Sequence, residues 1–182
     1  MPMHEMIPND AHPARCRAAA ALRMLFVADA LAMPVHWYYN PLEIDRDFPG
    51  GVRSMAAAPE RHPSSIMALH SVSHGGRKAG VAGERQRQVV GEVILKNKAQ
   101  FWGQPTRHYH HRMQAGENTL NAHCARLLLR TLSAAAGIYR KDRFLDAYID
   151  FMTADPPRHP DTYAESYHRG FFANLINGKP KD

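Results

Sequence analysis

Residues 13–33 form the single long apolar run in this chain, built mostly from Ala, Leu, Met and Arg, and Pro34 cuts it off. Ala, Leu, Met and Arg are strong helix formers, whereas the residue before a proline is driven out of helical geometry. The run therefore predicts a helix ending near Met33. Leu22, Phe26, Asp29 and Met33 follow at steps of four, three and four, so a carboxylate shares the apolar stripe. Asp29 also falls at the C-terminal end of that helix, where the peptide dipoles disfavour negative charge by about 0.3–1 kcal/mol. A carboxylate held there needs a cation, an arginine or several N–H donors. A structural bond to a neighbouring loop satisfies that need as well as a functional one does.

Elsewhere the apolar spacing is also helical, and no segment alternates with period two. A helix is expected over 119–136, stopped by Gly137, and another over 142–153 with Phe144, Tyr148 and Phe151 on one side. The last is expected to open at "DTYAE", where Thr162 and Glu165 have capping-box spacing, and to close at "NGKP". Residues 1–12 read as a loose tail and residues 13–182 as one helical domain. Residues 40–90, dense in Pro and Gly, read as long loops with a short helix near 84–94. The fold class is all-α.

The chain has 182 residues, 45% hydrophobic and 22% charged, enough for a substantial core. Its net charge of +6, with 12 histidines, favours polyanionic partners without choosing among them. Cys16 and Cys124, far apart, argue for a reducing, cytoplasmic compartment and against a disulfide scaffold. Arg15 and Arg17 before the apolar run loosely resemble a secretory leader, but Arg23 and Asp29 interrupt its core. The same charges lead us to expect no membrane span. A loop cluster of Arg77, Lys78, Arg85 and Arg87 could touch phosphates, yet no docking motif accompanies it, so nucleic acid is not an expected partner.

Three stretches could carry chemistry. His36-Trp37-Tyr38-Tyr39 follows the first helix directly; its histidine could move protons, and Trp37 and Tyr38 could stack a nucleobase or close the core. His108, His110 and His111 could be metal ligands or a basic surface loop. "GENT", 116–119, precedes a helix. Asn118 could be its N-cap, while consecutive oxygen-bearing side chains also suit a hard cation such as Mg²⁺. Phosphate-loop, dinucleotide, nucleophile-elbow and H-E-x-x-H patterns are absent from the sequence.

"VADALAMPVHWYY" resembles the Gly-Asp-Ala-Leu-Gly-x-Pro motif of the ADP-ribosylglycohydrolase family, which includes dinitrogenase-reductase-activating glycohydrolases and the J1 crystallins. "GENT" falls where that family carries a Thr-Asp-Asp-Thr metal motif, and "DTYAESYHRGFFANLINGKP" is similar to a downstream stretch of its bacterial-type branch. The resemblance covers roughly residues 14–180. It implies an all-α orthogonal bundle around a binuclear Mg²⁺ cleft that hydrolyses the glycosidic bond joining ADP-ribose to a protein side chain or small acceptor. It further implies catalytic roles for Asp29 and His36, substrate contacts from Trp37 and Tyr38, and metal contacts from Glu117, Asn118 and Thr119. The family's glycines are Ala28 and Ala32 here, its glutamate is His36, its hydroxyl ligand is Gly116 and one carboxylate is Asn118. These changes remove negative charge, so the Mg²⁺ set is expected to be incomplete. A non-catalytic ADP-ribose binder, or a structural protein of crystallin type, is the alternative. The family's C-terminal Gly-x-Asp-x-Asp-type motif has no counterpart; Asp45-Arg46-Asp47 lies in another context. The expectation is therefore the N-terminal half of a family-type domain, a natural truncation or an incompletely read gene, with apolar faces left over for dimerisation.

Overall fold

The computed structural model describes residues 11–76 and 88–181. Among them the regular structure is helical: α1 Ala11–Ala32, α2 Pro41–Asp47, α3 Val89–Glu92, α4 Leu120–Ala134, α5 Lys141–Met152 and α6 Ser166–Ile176. Short 3-10 turns add Met33–Val35, Met67–Leu69 and Ala99–Phe101. Pairing of extended backbone is limited, among these residues, to two isolated bridges, Arg61 with Arg107 and Val90 with Ile94.

Pro34 ends α1 as expected, and the chain tightens into the 3-10 turn rather than leaving helical geometry at once. The helix includes Ala11 and His12, two residues before its expected start, and residues 1–10 of the expected tail lie outside the described residues. Two expectations about elements fail. Residues 41–47 are helix, not loop: the Asn40 side chain accepts from the Leu42 N–H at 3.0 Å and Pro41 occupies the first turn, an N-terminal cap legible in "NP". The capping box at Thr162 does not form. Its hydroxyl instead donates to the Tyr109 carbonyl at 2.7 Å, Glu165 accepts from Asn121 at 2.7 Å, and α6 starts four residues later at Ser166. Within the expected helix near 84–94, α3 is four residues long and non-helical at Val90 and Gly91, and residues 84–87 lie outside the described residues. The Arg77–Arg87 cluster also lies outside them.

The core gathers Val89, Val90, Ile94, Leu95, Trp102, Tyr109, Leu120, Tyr163 and Phe172, drawn from α3, the loops around 94–110, α4, the loop before α6 and α6 itself. The α4–α5 pair packs alongside, and Gly75 meets α6 so closely that a Cβ there would lie 2.5 Å from the Ser166 carbonyl. The start of α1 stands apart from this body: Leu22, Met24, Leu25 and Val27 are exposed. Pro13–Val35 has mean hydropathy 1.6 and is long and apolar enough, by length and composition, to cross a membrane, contrary to the expectation from its charges. Within that stretch Asp29 is bonded to the start of α4.

Candidate functional site

Two segments about 90 residues apart meet at Asp29. Its Oδ1 accepts the Thr119 hydroxyl at 2.6 Å; its Oδ2 accepts the Thr119 N–H at 2.8 Å and the Asn118 amide at 3.0 Å. Thr119, not Asn118, is the N-cap of α4, and it makes no cap bond of its own. Asp29, from another helix, instead accepts the N–H and hydroxyl of the cap residue itself, and Asp161 accepts the Leu120 N–H. The positive end of α4 thereby offsets the unfavourable dipole of α1 at the same carboxylate. Asn118 also donates to the Phe26 carbonyl at 2.7 Å, while its oxygen accepts from Arg126 at 3.1 Å. Glu117 is not turned toward Asp29; it accepts the Gln114 N–H at 2.7 Å and closes its own turn.

Beside this junction lies a chain of imidazoles. His36 Nδ1 is 2.9 Å from His110 Nε2, and His110 Nδ1 is 2.9 Å from Asp161 Oδ1. Asp161 is fully buried. Burial alone would raise its pKa, but His110 and the Leu120 N–H outweigh it and hold the carboxyl well below the usual range. The Asp161 carboxylate accepts from His110 Nδ1–H, and between His110 Nε2 and His36 Nδ1 one nitrogen donates to the other, according to tautomer. His36 Nε2 makes no hydrogen bond among the described residues. Burial first, and His110 second, push the His36 pKa down to about 4, against opposing pulls from Asp29 and Asp161.

The corner is pinned from several sides. His62 Nε2 donates to the His36 carbonyl at 2.7 Å and His108 Nε2 to the Pro34 carbonyl at 3.1 Å. Their other nitrogens accept from Ser64 and His110 backbone N–H groups. His108, His110 and His111 are thus not a basic surface loop: all three are buried. Asp161 is positioned by Lys98, whose ammonium reaches the Pro160 and Asp161 carbonyls at 2.6 and 2.7 Å.

On the other side of Trp37 opens a cleft of about 290 Å³ lined by Trp37, His70, Tyr109, Tyr163, Glu165 and Arg169. Trp37 adopts φ +60°, rare for a bulky residue, and its ring stacks on His110 at 5.5 Å. Tyr38 does not join it: its ring packs on His62 at 4.5 Å and its hydroxyl donates to Asp47. Burial raises the Glu165 pKa; Arg169, itself buried, lies over Trp102 and Tyr163. Of the expected residues, then, Asp29, Asn118 and Thr119 converge, His36 lies within range of the Asp29 charge, Trp37 lines the cleft, and Glu117 and Tyr38 turn elsewhere. Sequence reading missed Asp161 and the pairing of His110 with His36, which no local spacing announces.

A Mg²⁺ centre needs oxygens free to face the ion. Here the Asn118 oxygen carries a guanidinium, Glu117 holds backbone, and the Thr119 hydroxyl proton points to Asp29. Among the described residues no three His, Cys, Asp or Glu side chains cluster as cation ligands. The residues so arranged do not fit the metal pair that the resemblance implies. Compared with known proteins, the chain matches no protein-family model, no curated protein and no solved structure.

Proposed function

We propose that this chain binds the ADP-ribose unit of a protein or small-molecule conjugate and hydrolyses its glycosidic bond, as the motif resemblance implies. The observation that supports it is the Asp29 junction, in which the two stretches most specific to the resemblance bond directly to each other beside His36. His36 Nε2 acts as general base. It takes a proton from water as the water oxygen bonds to the anomeric carbon; the C–N or C–O bond breaks, its electron pair leaves with the acceptor, and the acceptor takes that proton back from the His36 imidazolium. The imidazolium formed on His36 is favoured by the nearby Asp29 and Asp161 charges, against burial and His110. Trp37 and the tyrosines of the cleft offer faces for a planar base. No step runs through a metal. The setting we propose is cytoplasmic and away from membrane, with a second copy covering the apolar face of α1.

The test is release of free ADP-ribose from ADP-ribosylated arginine and serine peptides, with Mg²⁺ and with EDTA. Release that persists in EDTA and falls by about 100-fold or more in His36→Gln, with ADP-ribose binding retained, is the expected result. Absence of both binding and release would remove the reading. The second reading, a non-catalytic ADP-ribose binder, is favoured by the spent oxygens of Glu117 and Asn118; it gives EDTA-resistant binding with no turnover.

A further inference from the structure

Arg126 and Arg130, one turn apart on α4, face a groove of about 380 Å³ whose far wall is α5, with Asp150 and Phe151, and which Arg158 closes from the following loop. Arg126 is already committed, to Asn118 and to the face of Phe26 at 5.0 Å. Arg130 and Arg158 are exposed and make no hydrogen bond or ion pair among the described residues. Three guanidiniums against one carboxylate leave two positive charges uncompensated across a narrow space, a repulsion that an anion relieves. The planar guanidinium fork matches phosphate oxygens in pairs.

We propose that the α4–α5 groove is a binding site for a diphosphate-type dianion, gripped by Arg130 and Arg158 with Arg126 at its inner end. The charge of a diphosphate diester matches the groove's excess, and Phe151 offers a surface to whatever ring the diphosphate carries. Through Arg126 the anion is one side chain from the turn that holds Asn118 and Thr119. The site stands independently of the His36 reading, because none of its residues belongs to that relay.

The experiment is titration calorimetry with inorganic pyrophosphate at about 0.1 M salt. Wild type is compared with Arg130→Gln/Arg158→Gln, Asp150→Asn and a control, Arg140→Gln/Arg143→Gln, that removes equal charge outside the groove. The expected result is binding to wild type, about tenfold or more weaker in the groove double variant, tighter in Asp150→Asn and unchanged in the control, all with native circular dichroism. Displacement of pyrophosphate by ADP-ribose assigns the diphosphate to the nucleotide; failure of that displacement assigns it to free pyrophosphate, and either outcome upholds the groove. No binding, or equal loss in the control, overturns it.

Discussion

Asp29 spends its carboxylate on three donors from one turn of another helix. Replacing it by Asn puts an amide among those donors and removes the charge that α4 favours. Asp29→Asn should lower stability by about 2–3 kcal/mol, read by urea unfolding. His36 has a different signature. A histidine base must be neutral to accept a proton, and burial beside His110 keeps it neutral down to about pH 4. The acid limb of any hydrolysis should therefore fall near pH 4, not near the ordinary histidine value of about 6.5. A limb at the ordinary value in a kcat profile would remove His36 from the base role.

At the scale of elements, α1, α4, α5 and α6 were legible because their apolar residues recur with helical period and proline or glycine stops them. Gly137 and Gly178, at φ +85° and +73°, follow α4 and α6 where a left-handed residue is required. What failed was competition by distant partners. Thr162 and Glu165 have the spacing of a cap, but Tyr109 and Asn121 claim their side chains. The same holds for the site: Asp29 and "GENT" stand out in the sequence, whereas Asp161 acquires meaning only when a 51-residue separation closes onto His110. The exposed start of α1 yields its own prediction. Leu22→Glu with Leu25→Glu should change the stability of the folded body by no more than about 0.5 kcal/mol, since both side chains face solvent. If a second copy covers this face, sedimentation should show self-association in wild type and its loss in the variant.

At the scale of the molecule, the interior is unusually rich in neutral imidazoles. Burial, the leading cause in each, lowers His108 to about 3 and His159 and His168 to about 4. The unfolded chain binds protons on these groups below about pH 6.5, the folded chain only near 3–4, so stability rises with pH across that window and is lost on acidification. Asp161, held low, adds a loss in the same direction below the ordinary carboxylate range. The melting temperature should therefore fall steeply between pH 6.5 and 4, and a flat profile would show that these rings are solvated. The start of α4 carries a last consequence. Its first backbone donors are satisfied by Asp29 from far upstream and by Asp161 from 41 residues downstream. On a ribosome that helix therefore emerges with its upstream clasp at hand and its downstream clasp still unsynthesised. Until Asp161 arrives the Leu120 N–H is left to water, so slow exchange of that amide marks completion of the body.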